Sequence, residues 1–130
     1  MTPNEFLTTL YFGDRYCTKI VIDSFNDSLE IHMNDICILD YGKNIGELNF
    51  DSSNSIENGI IKISQVSKVI FPDNGLMPND QLYDIIVNKF EDDLYEFIIY
   101  ASHGHQDIPK TTDIEIKVFG KEIELVNPNE

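Results

Sequence analysis

Gln81-Leu82-Tyr83-Asp84-Ile85-Ile86-Val87-Asn88-Lys89-Phe90-Glu91 is the stretch on which the fold turns. Leu82, Ile85, Ile86 and Phe90 fall at helical spacing. Ile85-Ile86-Val87, however, is a β-branched run, stiff in a helix and well suited to a pleated surface. Asp92-Asp93 follows, and Leu94-Tyr95-Glu96-Phe97-Ile98-Ile99-Tyr100 reads as the return arm of a hairpin. Gln81 to Glu91 is therefore predicted as a strand rather than a helix, which makes the whole chain mainly β.

On the C-terminal side, Ser102 to Thr111 reads as a loop because Gly104 and Pro109 interrupt it. Asp113 to Phe119 alternates through Ile114, Ile116 and Val118, and a turn at Gly120-Lys121 leads into Ile123 and Leu125. On the N-terminal side, Pro72 to Asp80 is a loop rich in Pro, Gly and Asn. Gly59 to Ile63 and Val66 to Phe71 are short strands around Ser64-Gln65, and Asp51 to Ser55 is a polar loop. Gly46 to Phe50 is a short strand after turn chemistry at Tyr41-Gly42-Lys43-Asn44. Tyr16 to Phe25 and Ser28 to Asp40 are strands joined by an Asn26-Asp27 turn. Alternation in the second breaks at Asn34-Asp35 and restarts at Ile36, which predicts a bulge that re-aims the strand.

Thr2-Pro3-Asn4-Glu5 is a helix start: Thr2 caps, Pro3 takes the first helical position and Glu5 reaches back to the Thr2 amide. Phe6, Leu7, Leu10 and Tyr11 share one face and Gly13 suits a left-handed stop, so a helix of about three turns is expected. The expected fold is mainly β (α+β): an antiparallel β-sandwich or open barrel of about eight or nine short strands with one N-terminal helix. Residues 1–130 are expected to form a single domain.

Hydrophobic residues make up 42% of the chain and charged residues 25%, an ordinary globular balance. The sign of the charge is unusual. Against 23 Asp and Glu stand 9 Lys and Arg, a formal net charge of -14, and Arg15 is the sole arginine. Such a surface argues against nucleic acid and against an anionic membrane as partners, and favours a basic protein. The opening residues carry no basic segment followed by an apolar run, so no signal peptide is expected. Cys17 and Cys37 lie among strand residues and read as a buried, reduced pair, which fits a cytoplasmic location.

Candidate chemistry is sparse. His103 and His105, with Asp107 as a third donor, are the one metal-like grouping, but a site needs three or four convergent ligands. His32 falls on the polar phase of its strand and reads as exposed. The carboxylate pairs Asp92-Asp93 and Glu122/Glu124 are what 23 acids produce without selection for acid–base work, and Asp92-Asp93 is explained by its turn. Neither cysteine has an electropositive neighbourhood that would activate it. No Gly-x-Ser-x-Gly elbow and no phosphate-cradling glycine loop is present. The expectation is no enzyme, no catalytic residue, no cofactor and no metal site.

Pro3-Asn4-Glu5-Phe6-Leu7 and Tyr11-Phe12-Gly13-Asp14-Arg15-Tyr16-Cys17 resemble the start of an uncharacterised family of small bacterial proteins. The resemblance continues through Ile22-Asp23, Glu57-Asn58-Gly59, Pro78-Asn79-Asp80 and Leu125-Val126-Asn127-Pro128, most of the chain. It implies no activity, but it marks Gly13-Asp14-Arg15 and Pro78-Asn79-Asp80 as characteristic. Read structurally, Asp14 and Arg15 form a local pair at the helix-to-strand corner, and Asn79 or Asp80 bonds its own backbone in a turn. The chain is also similar, by class alone, to bacterial toxin-immunity proteins, many of which are small, acidic and strand-rich.

The leading expectation is thus a non-enzymatic interaction protein, most specifically an immunity-type inhibitor that binds a basic partner through acidic loops and aromatics such as Tyr41, Phe50 and Tyr95. The alternatives are a small-ligand-binding β domain with an apolar pocket between helix and sheet, and a metal-binding protein using the His103/His105 loop.

Overall fold

The computed structural model describes residues 1–41, 48–49 and 55–130. The helix α1 (Pro3–Leu7) is capped as the sequence predicts, with the Glu5 amide donating to Thr2 Oγ1 at 3.2 Å. The Glu5 carboxylate takes the Thr2 hydroxyl at 3.0 Å instead of the Thr2 amide. The helix is much shorter than the three turns expected. The Thr8 and Thr9 hydroxyls bond back to the Glu5 and Phe6 carbonyls at 2.6 and 2.7 Å, and these β-branched residues end the helix. Leu10 and Tyr11 then form the strand β1 (Leu10–Tyr11).

Among the described residues the chain has thirteen strand segments, more than the eight or nine expected, because several are only two or three residues long. They are β2 (Cys17–Asp23), β3 (Ser28–Met33), β4 (Asp35–Ile38), β5 (Asp40–Tyr41), β6 (Leu48–Asn49), β7 (Ser55–Glu57), β8 (Ile60–Ser64), β9 (Lys68–Ile70), β10 (Leu82–Glu91), β11 (Leu94–Gly104), β12 (Thr111–Gly120) and β13 (Glu122–Val126). The predicted turn at 41–44 and polar loop at 51–55 lie largely outside the described residues, as do all but β6 of the strand predicted at 46–50.

Two four-stranded antiparallel sheets, ordered β10-β11-β12-β9 and β13-β8-β3-β2, form an open sandwich. A three-stranded sheet, β1-β4-β7, continues from the second of these through the β3–β4 and β7–β8 connections, and β5 pairs with β6. The stretch Gln81 to Glu91 is indeed strand, paired with β11 through Ile85↔Ile99 and Val87↔Phe97. Inward residues follow the period of two: Phe97 faces Val118 and Ile99 faces Ile116 in one sheet, while Leu29 faces Ile63 and Ile31 faces Ile61 in the other. All eight are buried in one core cluster with Leu7, Leu10 and Phe12, so α1 and β1 close one side of that core.

Asn34-Asp35 is not a bulge within one strand. The chain bends there from one sheet into another, β3 belonging to a four-stranded sheet and β4 to the three-stranded one. Asn34 holds the bend: its Oδ1 accepts from the Tyr16 amide at 2.8 Å and its carbonyl from the Asn58 amide at 3.0 Å. Asn58, at φ 57, turns the returning chain from β7 into β8. A second corner lies where β12 passes to β13. A Cβ on Gly120 would sit 2.7 Å from Ile63 Cγ2 and 3.1 Å from the Ser64 carbonyl oxygen, so only glycine lets the two chain segments approach this closely.

Candidate functional site

The two segments singled out in the sequence, Gly13-Asp14-Arg15 and Pro78-Asn79-Asp80, meet. The Cys17 amide donates to the Asp80 carbonyl at 2.8 Å, and the Leu82 amide to the Arg15 carbonyl at 3.1 Å, around an isolated bridge between Tyr16 and Gln81. Arg15 does not pair with Asp14. Its guanidinium donates to the Gly13 carbonyl at 2.7 Å, lies 3.4 Å from the Asp35 carboxylate and stacks 5.4 Å above the Tyr11 ring. Asp14 takes the left-handed conformation, φ 57, that was expected of Gly13. Gly13 is small for another reason: a Cβ there would overlap the Tyr11 phenol.

Asn79 reaches across the chain instead of closing a local turn. Its carboxamide donates to the Gly104 carbonyl at 3.2 Å and accepts from the Gly104 amide at 2.7 Å. Pairing with β12 through Ser102↔Asp113, His103↔Thr112 and Gly104↔Thr111 extends strand structure to Gly104, so Ser102 and His103 belong to β11 rather than to a loop. His103 donates through Nδ1 to the Met77 carbonyl at 2.7 Å, and His105 shares a hydrogen bond with Thr112 Oγ1 at 2.9 Å. The two rings meet edge to face, 4.9 Å apart. One nitrogen on each ring is thus already used. No group of three or more His, Cys, Asp or Glu side chains able to hold a metal is found among the described residues.

His32 is not an exposed solitary residue: its Nε2 lies 2.9 Å from Glu30 Oε1 in a half-buried pair. Cys17 and Cys37 are both buried and free. Burial pushes the Cys17 thiol up to about 11, against a weaker opposing effect of a backbone hydrogen bond at Lys19. A thiol held protonated in this way is a packing group rather than a nucleophile. Of the aromatics expected to make contacts, Tyr95 is half-buried against Phe97, ring centres 6.3 Å apart. The side chains of Tyr41 and Phe50 lie outside the described residues.

Two surfaces remain. The first is the outer face of the sheet β10-β11-β12-β9. Ile86 lies opposite Ile98, Ile98 opposite Lys117 and Lys117 opposite Ile70, which lays a row of three isoleucines and one lysine across the four strands. Ile86 and Ile70 are 42% and 39% exposed, so the row is open to solvent at both ends, while Ile98 and Lys117 are half-buried. Asp84 and Glu115 flank Tyr100 in the adjoining row, with Asp113 opposite Ser102 beyond it, and Glu96 lies on the other side. The alternation in the sequence foreshadowed the face, but the alignment of its rows depends on registers that no single strand reveals.

The second surface is a groove of about 520 Å³ at the open edge of the sandwich. Ile20 and Ile22 of β2, Ile116 of β12, and Phe71, Leu76 and Met77 of the connection to β10 form its apolar walls. The apolar pocket expected between helix and sheet is not where the apolar walls lie; the cavities beside α1 are lined by Glu5, Glu122 and Lys121 among others.

Among the described residues, no helix is long and apolar enough to cross a membrane. No curated protein matches the chain. Among solved structures it is similar to the crystal structure of an uncharacterized protein from Neisseria gonorrhoeae. Identity is 17%, over 89% of this chain and 93% of that one, with a TM-score of 0.47. A family model matches from the first residue to the last, so the chain belongs, over residues 1–130, to the family of unknown function DUF6258.

Proposed function

We propose that this protein is a non-enzymatic interaction protein that holds a basic partner on the outer face of its β10-β11-β12-β9 sheet. The observation that carries the reading is the row Ile86, Ile98 and Ile70, open to solvent at both ends, interrupted by Lys117 and bordered by Asp84, Glu96, Asp113 and Glu115, on a chain of net charge -14. Single exposed apolar residues are ordinary, whereas a cluster of isoleucines across neighbouring strands with a charged rim is the anatomy of a contact surface. Tyr100 adds an aromatic ring between two carboxylates, a residue type enriched where binding energy concentrates.

The most specific form of this reading is an immunity-type inhibitor. A partner that acts on nucleic acid is commonly basic, and an acidic face speeds encounter with it and sets its orientation. The free thiols of Cys17 and Cys37 support a reducing, cytoplasmic compartment for the complex.

The test is capture of the partner from the native host, followed by kinetics with the purified pair. A stoichiometric complex is expected, its association slowing about tenfold or more from low to high salt. Combining Ile86→Glu with Glu115→Lys should abolish capture while leaving the melting temperature near that of the parent. Association indifferent to salt, or capture unaffected by the double substitution, would defeat the reading.

A further inference from the structure

We infer that the free edge of β2 pairs with β2 of a second copy of this chain, antiparallel about a two-fold axis at Val21. β2 ends the order β13-β8-β3-β2, so the contact would join two four-stranded sheets into one. Its bonding direction follows from β3. The Met33 amide donates to the Gly59 carbonyl on the β8 side, and the Asn34 amide to the Tyr16 carbonyl on the β2 side. His32, Glu30 and Ser28 therefore turn their backbone groups to β2, where Lys19, Val21 and Asp23 lie opposite them. Ile20 and Ile22 are left with their N–H and C=O groups directed outward. Among the described residues, another segment bonds the backbone of this edge at Cys17, through the Asp80 carbonyl, and not between Thr18 and Asp23.

The sequence of β2 complements itself in this register. Val21 meets its own copy on the axis, Lys19 faces Asp23 of the second copy at both ends, and Ile20 faces Ile22. The Ile20–Ile22 pairs exchange the backbone bonds, which places Val21 and the Lys19–Asp23 pairs at the closer, non-hydrogen-bonded positions. Centring on Ile20 instead would set Lys19 against Val21 and Asp23 against Cys17, so charge selects the register. Lys19 makes no ion pair among the described residues. Asp23 accepts from the Asn26 amide at 3.1 Å and from its carboxamide at 2.7 Å, which orients the carboxylate and leaves lone pairs for an ammonium. Val21 and Ile22 are 37% and 46% exposed, and pairing would remove both from water. The β2–β3 turn, where Phe25 is 93% exposed, comes beside Tyr16 of the second copy, itself 45% exposed.

The other long edges are guarded. β13 presents Glu122 and Glu124 with no base, and β10 carries irregularities at both ends, between Leu82 and Asp84 and between Lys89 and Glu91. β2 runs regularly from Lys19 to Asp23 and balances one base with one acid. The charge of -14 on each copy does not forbid the contact. At physiological ionic strength it is screened beyond about 8 Å, whereas Lys19 and Asp23 would meet at contact distance.

Sedimentation equilibrium of the full chain, across the micromolar range at physiological salt, should show a species of twice 14.9 kDa. Lys19→Glu opposes like charges at both ends and should weaken the dimer at least tenfold. Val21→Cys should link two copies on mild oxidation, since non-hydrogen-bonded partners have Cα atoms about 4.5 Å apart, within disulfide range. Ile22→Cys, whose opposite is Ile20, should not. Cys17 and Cys37, 2% and 3% exposed, stay out of this reaction. The three substituted positions are exposed, and melting temperatures of the reduced variants check that each folds. A monomer at every concentration, a dimer indifferent to Lys19→Glu, or equal cross-linking at positions 21 and 22 would each overturn the inference. So would dissociation by Ile86→Glu with Glu115→Lys on the other sheet, which separates this contact from partner capture there.

Discussion

Asn79 and Gly104 are joined by both ends of one carboxamide. The Asn79 Oδ1 accepts the Gly104 amide at 2.7 Å and its Nδ2 donates to the Gly104 carbonyl at 3.2 Å, the pair of bonds a neighbouring strand would supply. Asn79→Ala should therefore cost about 1–2 kcal/mol in urea denaturation. Asn79→Asp, which keeps the acceptor and loses the donor, should fall between. Amide exchange at Gly104 should accelerate in both; unchanged protection would show that the contact is not formed in solution.

Arg15 links Gly13, Asp35 and the Tyr11 ring with one planar group. Arg15→Lys keeps the charge but loses the fork and the stacking, and should destabilise by about 0.5–1.5 kcal/mol. Asp14, held at φ 57, makes the opposite comparison. Asp14→Gly should be neutral or slightly stabilising, and Asp14→Val clearly destabilising, because a β-branched residue is strained in that conformation. Denaturation midpoints of the three variants decide both points.

Gly120→Ala should destabilise by about 1–3 kcal/mol. Its Cβ would press on Ile63, which is fully buried, and on a backbone carbonyl, so no side-chain rotation relieves it. Gly75→Ala has open space around it and φ +71, so its cost should be confined to backbone strain of about 1 kcal/mol. Equal losses at the two positions would contradict the close approach at the β12–β13 corner.

Cys17 gives a pH dependence of defined sign. Its folded pKa, about 11, lies above the ordinary 9.0, so the folded state keeps a proton that the unfolded state releases first. The stability it contributes is complete below pH 9 and is lost as pH rises from about 9 to about 11. The slope of stability against pH over that window should be shallower in Cys17→Ala than in the parent. Comparing slopes separates the titration from the cavity that the substitution creates.

The central hairpin was legible because β-branching at Ile85-Ile86-Val87 and the Asp92-Asp93 turn point the same way. The helix was overextended because Phe6, Leu7, Leu10 and Tyr11 satisfy a helical stripe even though the last two serve a strand. The decisive signal, Thr8-Thr9 bonding back to the helix carbonyls, was present but ambiguous. Arg15 and Asn79 were assigned neighbours in the chain, whereas their partners Asp35 and Gly104 lie 20 and 25 residues away. Proximity in space of that kind follows from strand register, which local pattern does not encode. The groove was invisible for the same reason: β2, β12 and the 71–79 connection come together only in the folded molecule.

The pairing of β13 with β8, from Glu122↔Ser64 to Val126↔Ile60, has a consequence for the nascent chain. Ribosomal synthesis delivers β8 well before β13, and β3 can cover only one of its sides. Until β13 arrives, a strand containing Ile60, Ile61 and Ile63 offers unsatisfied backbone groups to any neighbouring polypeptide. Lys62, later opposite Glu124 and Glu30, is the charge that interrupts this run and acts as its gatekeeper against aggregation during that interval.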